Sequence, residues 1–293
     1  MLPSGLGQGG NVDFSDIRRH VIVALFSDEV LFDRLVLKGG NALELVHRVI
    51  NRGSVDVDLS IKGEFLDLAD TESRIFRALK AEFESVKHVV FDERFEIIPP
   101  PSTKDATPWW GGYSVEFKLI ARDRAEALHW SQEKMRIQAE TIDGQQGRRF
   151  KVEISKHEFC EGKVTAEVNG KTIYVYTEEM CVIEKLRAIC QQMPEYGRKY
   201  RKARARDFYD VYQTVTQRGL DLALPENLEL FRQIFAAKRV PLKLLAAIRK
   251  TFDFHESDWA SVAAAAPGEV QGFRFYFDFV VEEVSKLEAL WKV

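Results

Sequence analysis

Two aspartates, Asp56 and Asp58, stand two positions apart within residues 55–60, a stretch that alternates polar and apolar residues as a β-strand does. Side chains two apart on a strand point to the same face, so the two carboxylates lie side by side. Neighbouring carboxylates repel each other unless water or a cation screens them, and a divalent metal is the usual reason for such a pair. The spacing therefore predicts a metal-binding pair.

A glycine pair upstream offers a second kind of chemistry. Gly39 and Gly40 lie between a short apolar run, which predicts a buried strand, and an amphipathic stretch, which predicts a helix with Asn41 as its N-cap. Backbone N–H groups without Cβ atoms can approach phosphate oxygens closely, and a helix N-terminus favours that negative charge. Residues 35–60 therefore predict one unit that offers a phosphate cradle and a metal-binding pair.

This unit resembles the first motif of the AbiEii/AbiGii-type nucleotidyltransferase toxins, which include the MenT toxins and belong to the DNA-polymerase-β-like superfamily. The residues that carry the resemblance are Lys38, Gly39, Gly40, Arg52, Ser54, Asp56 and Asp58. The resemblance implies that the first five of them bind a nucleoside triphosphate. It also implies that the two aspartates are catalytic and hold Mg²⁺ or Mn²⁺.

Residues 149–155 alternate, so that Lys151 and Glu153 share one face of a predicted strand. A solvent-facing ladder of Lys and Glu is the structural alternative. The pattern is similar to the family's second motif, in which a lysine and an acid alternate. That resemblance implies that Lys151 contacts the nucleotide and that Glu153 is the third catalytic, metal-binding carboxylate, on a strand beside the aspartate strand.

Residues 184–188 and 206–210 resemble the family's third and fourth motifs. The resemblance implies that Lys185 faces the nucleotide phosphates and that Asp207 is a functional acid, so both belong to the predicted catalytic set. Asp207 could hold Lys185 in position. Asp207 and Asp210, at i and i+3, lie on one helical face. The structural alternative for this pair is a salt bridge that ties two helices together, and the two interpretations are compatible.

Six basic side chains stand within residues 198–206: Arg198, Lys199, Arg201, Lys202, Arg204 and Arg206. Clustered lysine and arginine side chains grip phosphates, so the run favours an RNA acceptor. The structural alternative is a solvated helix face with some contacts to the triphosphate.

Composition sets the remaining limits. The chain has 293 residues, 45% hydrophobic and 30% charged, which is typical of a globular protein. Its net charge of −3 excludes a global basic field, so any nucleic-acid surface must be local. Three cysteines without metal-ligand spacing predict free thiols. With no long apolar run and no signal-peptide pattern, we expect a cytoplasmic protein without membrane contact.

The predicted elements form a mixed α+β fold. Residues 1–175 combine helices and strands, and the resemblance implies a nucleotidyltransferase-type mixed sheet flanked by helices. Residues 176–293 are helical almost throughout, which predicts a C-terminal helical bundle that completes the nucleotide and acceptor cleft. The pattern also predicts one helix over residues 124–139, a helix capped by Thr177 and a helix over residues 242–252.

The function implied by the resemblance is metal-dependent transfer of a nucleoside monophosphate from a triphosphate to an RNA acceptor such as tRNA, with release of pyrophosphate. Such a protein would be a toxin of a toxin–antitoxin or abortive-infection system, with a cognate antitoxin as partner. Two alternatives stay open: a non-catalytic nucleotide-binding module that acts through protein interactions, and a transferase that modifies a small molecule such as an antibiotic.

Overall fold

The computed structural model describes residues 14–50, 56–103, 107–141, 147–197 and 200–292. The chain divides into two compact units. The first unit contains the described residues within 1–37, 54–157 and 165–175, and the second contains those within 38–53, 158–164 and 176–293.

The described strands form one seven-stranded mixed sheet. They are β1 (Val36–Leu37), β2 (Val57–Ser60), β3 (His88–Ile98), β4 (Gly112–Ala121), β5 (Phe150–Ser155), β6 (Val164–Val168) and β7 (Lys171–Val175). Their order is β3-β4-β5-β2-β1-β7-β6. β2 is parallel to β5 and β1 to β7, whereas β1–β2, β3–β4 and β4–β5 are antiparallel. The predicted mixed α+β fold is confirmed.

The sheet has an apolar face and a polar face because its strands alternate. On β5 the buried side chains are Phe150, Val152 and Ile154, and the half-buried polar ones are Lys151, Glu153 and Ser155. Helices α1 (Phe14–Leu25) and α4 (Leu68–Ser85) pack on the apolar face. Phe83 of α4 lies against Phe117 of β4, with 6.0 Å between the ring centroids. The polar side chains of β5 are left on the other face.

Three shorter helices complete the described part of the first unit: α2 (Glu29–Arg34), α5 (Arg122–Ala127) and α6 (Gln132–Gln138). Asp28 caps α2 by accepting backbone N–H bonds from Val30 and Leu31. The prediction of a single helix over residues 124–139 is wrong. His129 and Trp130 adopt left-handed backbone conformations, with φ of 50° and 56°, and so separate α5 from α6.

The second unit is mainly helical. Its α-helices are α3 (Gly39–Asn41), α7 (Glu178–Cys190), α8 (Ala205–Arg218), α9 (Pro225–Ala237), α10 (Phe252–Glu256), α11 (Trp259–Ala265) and α12 (Phe273–Ser285). α7 contacts both α8 and α9, and nine of its thirteen residues are buried. Thr177 caps α7 by accepting from the Met180 N–H, as predicted. The three cysteines are buried and free, which confirms their predicted state.

Two helical predictions need correction. Asn41 is not an N-cap, because its backbone is helical (φ −69°, ψ −35°) and the extended residue before the helix is Lys38. Gly39 has φ of +66°, which a glycine adopts without a Cβ clash, so the turn begins two residues earlier. The segment Leu242–Lys250 is a 3₁₀-helix rather than part of a longer α-helix. No helix among the described residues is long and apolar enough to cross a membrane.

Candidate active site

Asp58 and Glu153 occupy paired positions on neighbouring strands. β2 and β5 run parallel, and the register places Asp58 opposite Glu153. Paired residues of adjacent strands point to the same face of a sheet, so both carboxylates lie on the polar face. Asp56 precedes β2 by one residue and is half-buried, as Asp58 is. The later acidic strand therefore lies beside the aspartate strand, as the resemblance implied.

Lys151 adds a cation to this acidic row. Its ammonium group contacts a carboxylate oxygen of Glu153. Burial would lower its pKa, but the hydrogen bond to Glu153 and the nearby charges of Asp56 and Glu116 outweigh burial and raise the pKa. The contact between Lys151 and Glu153 that the structural alternative predicted is therefore present. Glu153 also lies opposite Asp58, so the pair belongs to the acidic row.

Carboxylate oxygens are the ligands that Mg²⁺ prefers, and the row of Asp56, Asp58 and Glu153 supplies three such groups. Within the described ranges, no group of three or more histidine, cysteine, aspartate or glutamate side chains stands in a metal-holding arrangement. The chemistry of the donor set suits a divalent cation. Metal binding by these three residues stays a prediction.

In the second unit, the glycine pair opens a short helical segment. Gly39 and Gly40 begin α3, and a π-helix at Ala42–Val46 continues directly from it. π-Helical turns are rare in proteins, but those that do occur are often found at functional sites. Lys38, the residue before the helix, makes no side-chain capping bond to it. The glycines therefore stand at a helix start, the setting predicted for phosphate contact.

The Lys38 ammonium group lies among buried carboxylates. It donates to Glu184 at 2.6 Å and to Glu158 at 3.4 Å. Burial alone would lower the pKa of Lys38, but the charges of Glu158 and Glu184 outweigh it and raise the pKa. A contact between Lys38 and a phosphate would require the ammonium to leave these carboxylates. The predicted contact of Lys38 with the nucleotide stays a prediction.

Glu158 joins Lys38 to two further buried cations. Arg187 donates to it at 2.7 Å, and Lys238 lies 3.3 Å away. Burial would raise the pKa of Glu158, but Arg187, Lys38 and Lys238 hold it well below its usual range. Burial, with the charges of Arg187 and Lys38, lowers the pKa of Lys238 to about 8. The members of this cluster come from distant parts of the chain, so no local sequence pattern reveals it.

Lys185 is held by two aspartates of α8. Its ammonium group donates to Asp207 at 3.0 Å and to Asp210 at 2.6 Å. Arg204 donates to the other oxygen of Asp207 at 3.0 Å. Asp210 is fully buried and Asp207 is 6% exposed. The suggested contact between Lys185 and Asp207 is present. Asp210, which lies on the same helical face, is a second partner of Lys185.

Two described arginines of the basic run make internal contacts through their side chains. Arg201 donates to the backbone carbonyl of Gln192 and lies 4.3 Å from the ring centroid of Phe254. Arg204 is bound to Asp207, as described above. The exposed residues of this segment are Tyr200, Arg201, Lys202 and Arg206. Four of the predicted residues, Arg52, Ser54, Arg198 and Lys199, lie outside the described residues.

The family model described as "Nucleotidyl transferase AbiEii toxin, Type IV TA system" matches residues 20–280. No curated protein matches the chain.

The chain is also similar to solved structures. A crystal structure of a proposed nucleotidyltransferase from H. pylori aligns with a TM-score of 0.50 and 18% identity, over 96% of this chain and 97% of that chain. At this identity the likeness shows the fold alone. An antigenic nucleotidyltransferase-like protein from Paracoccidioides brasiliensis aligns with a TM-score of 0.35 and 12% identity, over 77% of this chain and 94% of that one, and we draw nothing from it.

Proposed function

The chain belongs to the AbiEii family of nucleotidyltransferase toxins of type IV toxin–antitoxin systems, and from this premise we propose that it transfers a nucleoside monophosphate from a triphosphate to an RNA acceptor. Pyrophosphate is the leaving group, and the new bond joins the acceptor oxygen to the α-phosphorus. Family membership makes the chain a nucleotidyltransferase. The metal, the RNA acceptor and the role of each residue are parts of the proposal.

The observation that supports the proposal most is the pairing of Asp58 with Glu153 on adjacent parallel strands. With Asp56, these carboxylates would hold Mg²⁺ or Mn²⁺. When bound, such ions stabilise the charge on the attacking and leaving oxygens. Glu153 is 44% exposed, so its ion pair with Lys151 contributes little to stability. Glu153 can therefore leave Lys151 at small cost and turn its oxygens to another cation.

We assign the triphosphate to groups of the second unit. The backbone N–H groups of Gly39 and Gly40 would donate to phosphate oxygens, since no Cβ prevents close approach. Lys185 would neutralise the outer phosphate charge. Asp207 and Asp210 bind its ammonium from α8, so the side chain is held in one direction before the nucleotide arrives. Fixed positive charge of this kind stabilises a transferring phosphoryl group without reorganisation.

We assign the acceptor to the exposed part of the basic run. Lys202 and Arg206 are exposed and carry the positive charge that backbone phosphates bind. Arg201 and Arg204 support this surface through their internal contacts. Substituting Arg201 or Arg204 would therefore break these internal contacts as well as affect RNA binding.

The test is to incubate the purified protein with Mg²⁺, one radiolabelled triphosphate at a time, and total RNA. A labelled RNA band is the expected result, and Asp56→Asn, which keeps the size of the side chain, should abolish it while the protein stays folded. Undiminished transfer by that variant would contradict the metal assignment.

The same assay separates the alternatives. Triphosphate binding without any transfer would favour the non-catalytic module. Label on a small-molecule acceptor, with none on RNA, would favour an antibiotic-type transferase.

A further inference from the structure

The first turn of α8 is capped from a distant part of the chain. A helix leaves its first N–H groups without partners inside the helix. Arg204, the residue before α8, makes no side-chain capping bond. Instead, the backbone N–H of Arg204 donates to Nδ1 of His255 at 3.0 Å, and that of Ala205 donates to Oδ1 of Asp258 at 3.0 Å. Two residues from α10 and its C-terminal flank therefore hold this helix start.

The turn that they hold carries Asp207. Asp207 is the third residue of α8, and its own N–H donates to the Arg204 carbonyl at 2.9 Å. The His255 ring lies 5.2 Å from the ring of Phe208, the next residue along the helix. A shift of this turn would move the Asp207 carboxylate, and with it the ammonium group of Lys185.

The hydrogen bond also determines the tautomer of His255. Because Nδ1 accepts from a backbone N–H, the proton of the neutral ring lies on Nε2. Nε2 is buried and has no hydrogen-bond partner within the described ranges. Burial lowers the pKa of His255 to about 4; Asp207 opposes this shift, while Arg204 and Arg201 add to it. At neutral pH the ring is therefore uncharged and Nδ1 is available as an acceptor.

We propose that His255 and Asp258 are positioning residues for nucleotidyl transfer: they fix the first turn of α8, so that Asp207 keeps Lys185 directed at the nucleotide phosphates. The inference rests on the proposed function for the role of Lys185. Both residues act through the α8 backbone, and neither is assigned a contact with the nucleotide.

Two substitutions of His255 separate the acceptor from the ring. His255→Asn places a carbonyl oxygen near the position of Nδ1 and removes the ring. His255→Phe keeps a ring against Phe208 and removes the acceptor. A positioning role predicts that the Asn variant works better than the Phe variant, whereas a packing role predicts the reverse. Asp258→Asn and Asp258→Ala form a second pair, in which only Asn keeps the accepting oxygen.

The first readout is steady-state transfer with the full chain, measured as KM for the triphosphate and kcat separately. His255→Phe and Asp258→Ala should raise KM about fivefold, the effect of losing one helix cap. The two Asn variants should stay within about twofold of the wild type, whatever their melting temperatures. Equal activity in the Phe and Asn variants, or better activity in Phe, would overturn the proposal, as would activity losses that follow the unfolded fraction.

The second readout does not depend on transfer. Amide hydrogen exchange at Arg204 and Ala205 should rise about fivefold in the matching acceptor-free variant and stay near the wild-type rate in the Asn variants. If the wild-type protein transfers no nucleotide, the proposed function fails while this measurement still decides whether the caps hold the turn. Unchanged exchange in His255→Phe and Asp258→Ala would overturn the capping inference itself.

Discussion

Replacing Lys185 by methionine removes a cation that two buried aspartates share. Lys185 binds Asp207 and Asp210, and Arg204 binds the other oxygen of Asp207. Methionine has similar length and no charge. Arg204 still neutralises Asp207, but Asp210, which is fully buried, loses the ammonium that lies 2.6 Å away. The variant therefore leaves the buried Asp210 charge without its ammonium partner.

The cost of that charge sets the expected loss of stability. Removing one partner of a buried ion pair costs about 3–5 kcal/mol, because the other charge stays buried without compensation. Each kcal/mol lowers the melting temperature of a domain of this size by roughly 2–4 °C, so we expect a loss of about 6–20 °C. Adding Asp210→Asn removes the charge of this carboxylate without changing the side-chain shape. The Lys185→Met/Asp210→Asn double variant should therefore regain most of the lost stability.

Turnover should not return with the melting temperature. A hydrogen bond to a charged group contributes about 1.5–3 kcal/mol, so loss of the Lys185–phosphate contact should lower kcat/KM about 10- to 100-fold. Asp210→Asn alone keeps Lys185 on Asp207 and is the matched control. Adding Asp207→Asn to Lys185→Met should lower turnover little further, because the two side chains act as a unit.

The measurements are thermal unfolding and initial rates at several triphosphate concentrations, on the wild type and each variant. A double variant that regains both its melting temperature and its turnover would refute the reasoning. In that case Lys185 would be a structural salt-bridge partner only. Support for a transferase would then rest on the glycine pair and the carboxylates of the first unit.

Three further outcomes are expected. Arg187→Met should lower the free energy of unfolding in urea by about 3–5 kcal/mol, because it removes the cation that lies 2.7 Å from buried Glu158. Lys238→Met should cost less than about 2 kcal/mol, because burial already disfavours the charged form of Lys238. Between pH 6.5 and about 4 the unfolded chain protonates His255 and the folded protein does not, so wild-type stability should fall by about 3 kcal/mol more than that of His255→Asn as pH falls through this window. Lys202→Ala should weaken RNA binding and reduce the slope of log affinity against log salt by about one, and an unaltered slope would show that Lys202 does not touch RNA.

Much of the fold follows from local pattern. The alternation in residues 150–155 and the capping by Thr177 are properties of neighbouring residues, and both predictions are confirmed. The break between α5 and α6 was missed because the left-handed backbone of His129 and Trp130 has no signature in residue type. Strand β6 was also missed, since most of its side chains are exposed and its burial shows no alternation.

The sequence by itself determined which residues could do chemistry and on which face of their own strand or helix they lie. Asp56 and Asp58, Lys151 and Glu153, and the spacing of Asp207 from Asp210 all express a local period. Only the tertiary structure decided which elements are neighbours: that β5 lies parallel to β2 with Glu153 opposite Asp58.

Contacts between distant residues were likewise beyond the sequence. Lys38 is bound by carboxylates 120 and 146 residues away, and His255 caps a helix that begins 50 residues earlier. Such contacts depend on how whole helices pack, which is set by the summed burial of many side chains and leaves no fixed spacing in one sequence. For that reason the local motifs could be predicted from the chain, while the partners that hold them in place could not.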